Sequence, residues 1–123
     1  MSRVAGFGFR KGATTESLLA VLRLVEAEGG PATVLATVQA KAAAPALLRL
    51  AAARGLPVQG LVVAGVATPT LSARVAALHG TGSVAEAAAL TGAGPGTTLI
   101  VGRVTAPDGM ATCAMAAGKE QHE

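Results

Sequence analysis

At 123 residues the chain has room for one domain with its own core and too little for two. Hydrophobic residues make up 51% and charged ones 14%, which excludes disorder; Phe7 and Phe9 are its only aromatics, too few for a base-stacking platform. The net charge of +3 comes from scattered cations, so a small anionic ligand fits better than a nucleic-acid groove.

Residues 3–9 are apolar and read as a strand that runs into Gly6-Phe7-Gly8-Phe9-Arg10-Lys11-Gly12. Residues 14–28 place Leu18, Val21, Leu22 and Val25 on one helical face, with Thr14 or Thr15 as N-cap and Glu16 in the first turn. Gly29-Gly30-Pro31 stops that helix. Residues 33–38, rich in β-branched side chains, read as a second strand. A second helix starts near Ala44, with Pro45 suited to the first helical position, Leu47, Leu48 and Leu50 on its apolar face, and Gly55 as a left-handed cap. Residues 58–64 form a third strand whose unbroken apolar character suits a central parallel position. A shorter helix falls at about residues 71–78, and another begins at Ser83, with Glu86 at the capping-box spacing. Residues 97–103 and 110–116 are two further strands, and Pro107-Asp108-Gly109 between them signals a hairpin.

This order predicts a single α/β domain over residues 1–117, followed by a polar tail at 118–123. The expected architecture is three layers, α/β/α, around a mixed, mainly parallel sheet of about five strands with a C-terminal hairpin; right-handed crossovers join the first strands. The lone Cys113 cannot form an internal disulfide, which points to a reducing compartment. The charge-free stretch 55–73 is interrupted by Pro57, Gln59, Gly60, Gly65 and Pro69, so it reads as strand plus loop rather than a membrane span. The start of the chain lacks the apolar run of a signal peptide, and a cytoplasmic location is expected.

Ligands of open α/β sheets bind beyond the carboxyl ends of the parallel strands. That rule gathers Gly8, Arg10 and Lys11 from the first strand, Lys41 from the second, and Ser83 at a helix start into a cationic rim. The spacing G-x-G-x-x-x-G departs from the dinucleotide fingerprint, and there is no Gly-Lys-Ser/Thr phosphate loop. Gly6 and Gly8 suit either ligand approach or close helix–strand packing. Arg10, Lys11 and Lys41 suit either anion contact or an ordinary solvated turn. Ser83 and Glu86 form a cap more readily than a catalytic pair. Arg3, Arg23, Arg49, Arg54 and Arg74 read as solvated faces. His79 near a helix end, His122 in the tail and Cys113 in a core strand make no metal constellation, and no cofactor is implied.

Taken together, Gly6-x-Gly8-x-Arg10-Lys11-Gly12, Lys41-x-x-x-Pro45 before a leucine-rich helix, and Ser83-Val84-x-Glu86-Ala87-Ala88-Ala89 resemble the CobE/CbiG C-terminal family of cobalamin biosynthesis. The run Thr112-x-Ala114-x-Ala116 is similar to that family's last strand, and the resemblance covers nearly the whole chain. It implies an α/β domain, in the stand-alone CobE-like form, that acts on or binds a precorrin, the tetrapyrrole precursor of the corrin ring. The implied substrate contacts are Gly6, Gly8, Arg10, Lys11, Gly12, Lys41, Ser83 and Arg103, the cations gripping the ring's carboxylates. The alternative it implies is a lactone-opening hydrolase on a cobalt-precorrin that releases acetaldehyde, with Glu86 as general base and amides near Ser83 holding the oxyanion. Implied partners are the tetrapyrrole and other corrin-pathway enzymes, with no nucleic acid and no membrane. Ala42-Ala43-Ala44 stands where relatives often carry acids, Ala85 where they often carry Cys, and Gly102-Arg103 where a lysine is common. Those departures preserve cationic binding better than acid–base chemistry.

Overall fold

Side chains of a strand alternate between faces, and the first strand uses that alternation to build two different cores. In the computed structural model, which describes residues 2–66, 68 and 83–118, β1 (Ser2–Phe9) turns Ala5 and Phe7 to one side and Val4 to the other. Beyond it lie β2 (Val34–Val38), β3 (Val58–Leu61), β4 (Thr98–Thr105) and β5 (Ala111–Gly118), in the sheet order β3-β2-β1-β5-β4. β1, β2 and β3 are parallel neighbours, with Val4 opposite Val34 and Leu35 opposite Val58. β5 runs antiparallel along all of β1, from Ser2 opposite Gly118 to Phe9 opposite Ala111, and β4 pairs antiparallel outside it. The sheet is thus mixed, parallel in its first strands and closed by the expected hairpin.

Helices α1 (Thr15–Gly29) and α2 (Pro45–Arg54) cover the face that carries Phe7. Leu18, Val21, Leu22 and Val25 of α1 are fully buried there with Leu47, Leu35, Cys113 and Met115. α3 (Val84–Ala93) covers the other face, where Val84, Ala87 and Ala88 pack on Val4, Ala36 and Val38. Three layers result, as the order of elements implies. Thr14 caps α1 by accepting the Ser17 N–H at 3.1 Å. α2 has no side-chain cap at Ala44, begins with Pro45, and ends at Gly55 in the left-handed conformation with φ of 65°.

The third strand is a correction. It spans four residues and lies at the sheet edge beyond β2, not at the centre. Its apolar run signals burial without saying on which side a neighbour stands; Gln59 and Gly60 are exposed, and Val62, just past its end, is 71% exposed. The central place goes to β1, flanked by β2 and β5, and the small residues of β1 and β5 let α3 approach closely. β5 continues through Gly118, which is buried opposite Ser2. The helix expected at 71–78, with Arg74, His79 and the tail from 119, lies outside the described residues.

The close approach is greatest at Gly6. An added Cβ there would overlap the Ala85 carbonyl and the Ala89 amide of α3. Ala85, Ala87, Ala88 and Ala89 are all fully buried, so a small-residue helix lies flat against a small-residue strand. Gly8 also faces α3, and its Cβ position is 3.0 Å from Thr112 Oγ1 and 3.4 Å from Val84 Cβ. Of the two readings open for Gly6, the packing one has its physical cause here.

Candidate functional site

The chain leaves β1 at Phe9 and turns through Arg10, Lys11 and Gly12 before α1. The turn is closed by the Ala13 N–H donating to the Arg10 carbonyl at 3.0 Å, and Gly12 has a φ of 93° that favours glycine. The chain leaves β2 through a single 3-10 turn, Gln39–Lys41, and then starts α2. Between these two crossings lies a cleft of about 1000 Å³. Phe9, Arg10, Lys11 and Gly12 line one wall; Ala43, Ala44, Pro45, Ala46 and Arg49 line the other; Lys41 lies between them.

Both α1 and α2 present their first turns to this cleft, through Thr14, Thr15, Ala44 and Pro45. Thr15 Oγ1 donates to the Ala46 carbonyl at 3.0 Å and fixes the two helix starts against each other. Helix N-termini carry partial positive charge, so their convergence favours an anion. The side chains add to it. The side chains of Arg10, Lys11 and Arg49 are exposed and make no hydrogen bond or ion pair among the described residues. Glu16 is the one acidic residue among those lining the cleft.

Lys41 is different. Its Nζ donates to the Phe9 carbonyl at 2.5 Å and sits 4.9 Å from the centroid of the Phe9 ring. Partial burial lowers its pKa from the ordinary lysine value by desolvating the ammonium. The lysine therefore ties the ends of β1 and β2 together while its charge stays at the base of the cleft.

The remaining candidates lie on the α3 side of the sheet. Ser83 is buried and accepts the Glu86 N–H at 3.2 Å, the N-cap bond that the spacing predicts. Glu86 is 1% exposed, and its Oε2 accepts the Arg103 backbone N–H at 3.0 Å. The reason is a β-bulge: β4 shifts register between Val101 and Val104 against β5, and the Arg103 amide is taken up by the carboxylate. The Arg103 side chain is exposed on the outermost strand, away from the cleft over β1 and β2. The structure thus brings together Arg10, Lys11, Gly12 and Lys41, and sets Gly6, Gly8, Ser83, Glu86 and Arg103 apart from them. Glu86→Ala is expected to cost ~1–3 kcal/mol, because the bulge amide loses its acceptor. Glu86→Gln, which keeps an acceptor oxygen, should cost less; urea unfolding of the two variants makes the comparison.

Two arginines read as solvated are otherwise employed. Arg54 pairs with Glu26 at 2.7 Å, and Glu26 also accepts the Ala32 N–H at 2.8 Å; Arg3 Nε donates to the Gly29 carbonyl at 2.8 Å. Arg49 is the site residue that sequence reasoning missed. Its signal was its place four residues after Pro45, which returns it to the face of the first turn. Cys113 is fully buried, and desolvation pushes its thiol far above the usual range, so it is inert core. Among the described residues no group of His, Cys, Asp and Glu could hold a metal ion, and no helix is long and apolar enough to cross a membrane.

The family model described as cobalamin synthesis G C-terminus matches residues 3–116. The chain belongs to this family. Among solved structures, CobE, a protein from the cobalamin (vitamin B12) biosynthetic pathway, is 30% identical with a TM-score of 0.81, over 98% of this chain and 93% of that one. The cobalamin biosynthesis protein chiG from Agrobacterium tumefaciens str. C58 is 33% identical with a TM-score of 0.72, over 96% of this chain and 99% of that one. No curated protein sequence matches the chain. The protein is a cobalamin-biosynthesis protein of the CobE/CbiG family, with that family's α/β fold.

Proposed function

We propose that the protein holds a precorrin by its carboxylates in the cleft between the β1–α1 and β2–α2 crossings, and passes it on within the corrin pathway. A precorrin is a macrocycle with an apolar ring and a fringe of carboxylate side chains. The cleft matches both properties: Phe9, Leu19, Ala44 and Pro45 offer apolar surface, and the cations stand at its rim. One observation carries the reading. The side chains of Arg10, Lys11 and Arg49 line one cleft with two helix N-termini and have no partner among the described residues. Lys41 adds its charge from below.

The alternative, lactone opening with Glu86 as general base, draws less support. Glu86 is 1% exposed and its Oε2 is engaged by the Arg103 amide, on the face of the sheet opposite the cleft. Acetaldehyde released in more than stoichiometric amounts from a lactone-bearing precorrin would decide for hydrolysis.

Uroporphyrin III, a tetrapyrrole octacarboxylate, is the accessible probe for holding. Titration should quench its fluorescence with one-to-one stoichiometry at low salt. The affinity should fall about tenfold or more between roughly 50 and 300 mM salt, because exposed ionic contacts are screened. Absence of binding at low salt overturns the reading.

A further inference from the structure

The loop that presents Arg10 and Lys11 is anchored at both ends by a part of the chain nearly a hundred residues away, the turn between β4 and β5. At one end the Arg10 N–H donates to the Met110 carbonyl at 2.9 Å. At the other, the hydroxyl of Ser17, buried in the first turn of α1, donates to Asp108 Oδ1 at 2.8 Å. The same Oδ1 accepts the Met110 N–H at 3.0 Å. Met110 is thus held through its N–H by Asp108 and holds Arg10 through its carbonyl. The turn is itself closed, Ala106 donating to the Ala111 carbonyl at 2.8 Å and Gly109 to the Ala106 carbonyl at 2.9 Å.

From this circuit we infer that Asp108 is the positioning residue of the cationic loop: it fixes Met110 and Ser17 together, and so sets where Arg10 and Lys11 present their charges. Asp108 does not line the cleft. It acts through Met110 and Ser17, on a loop whose own closure is the single Ala13-to-Arg10 bond. Without it the loop keeps its sequence and charge but loses its fixed direction, and a ligand has to pay the ordering entropy on binding. The part of the inference that concerns affinity rests on the cleft being the binding site; the part that concerns loop order does not.

Two Asp108 variants separate the possibilities, since asparagine keeps an oxygen able to accept both donors and alanine keeps none. By amide hydrogen exchange without ligand, Asp108→Ala should speed the Arg10 amide about tenfold, while core amides at Leu22 and Leu35 hold their rates and Asp108→Asn stays near the parent. An unchanged Arg10 amide overturns the inference; so does a uniform acceleration across the chain, which marks a merely structural bond. Ser17→Ala, which removes one donor alone, should give a smaller change in the same direction and serves if Asp108→Ala fails to fold. In the uroporphyrin III titration, Asp108→Ala should weaken binding about tenfold and Asp108→Asn should restore it. Faster exchange with unaltered affinity overturns the link to binding and leaves the cleft reading standing. No binding by the parent protein defeats the cleft reading, and the exchange result still judges the positioning.

Discussion

Gly6→Ala is expected to cost the protein ~3 kcal/mol or more, enough to leave a marginally stable small domain largely unfolded. Most overpacking is relieved when a side chain turns aside. Here the obstacles are backbone: the Ala85 carbonyl and the Ala89 amide, with the Ala89 Cα 3.0 Å away. Helix α3 would have to lift off β1 as a body, and Val84 through Ala89, all buried, would lose contact with the sheet together. Gly8→Ala tests the same face more gently, because its nearest neighbours, Thr112 Oγ1 and Val84 Cβ, are side-chain atoms. Gly12→Ala is a third kind of case. Its nearest atom is the flexible end of Met110 at 3.9 Å, so the cost is that of a positive φ, about 1–2 kcal/mol. The expected order of urea midpoints is parent, then Gly8 and Gly12 variants, then Gly6→Ala far below. A Gly6→Ala midpoint close to that of the parent would mean that α3 can move away cheaply, and the close-packing account would fall.

These three glycines also show where the sequence stops being legible. α1 was readable because Leu18, Val21, Leu22 and Val25 repeat at helical spacing, and all four are fully buried. A glycine carries no such pattern. Gly6 under a helix and Gly6 under a ligand look the same until the partner's position is known. The same limit applies to β3, whose apolar character suggests a central place although none of its four residues is buried at the sheet edge it takes. For Glu86, spacing foretold the Ser83 cap at the start of α3. It could not foretell the carboxylate's bond to Arg103, because that bond depends on a bulge in a strand from another part of the chain. The cationic site was more legible. Strand ends and helix starts follow from periodicity, and the rule for open sheets then places Arg10, Lys11 and Lys41 together. What spacing could not supply was the division of labour, with Lys41 tied to the Phe9 carbonyl and Arg49 joining from α2.

That division sets the second large effect. The double variant Arg10→Ala/Lys11→Ala should lose about 10²-fold in affinity for uroporphyrin III, two charge-assisted contacts each contributing about tenfold once exposure is discounted. Its unfolding midpoint should stay with the parent, because both side chains are exposed and bonded to nothing among the described residues. Lys41→Ala should behave otherwise. It removes a cation from the cleft and also the tie between the ends of β1 and β2, so stability and affinity should fall together. Salt separates charge from shape: the double variant's affinity should depend less steeply on ionic strength than the parent's, since fewer ionic contacts remain to be screened. If the double variant bound as tightly as the parent with the same salt dependence, the anion would have to sit elsewhere on the molecule. The free cations of the cleft would then be ordinary surface charge.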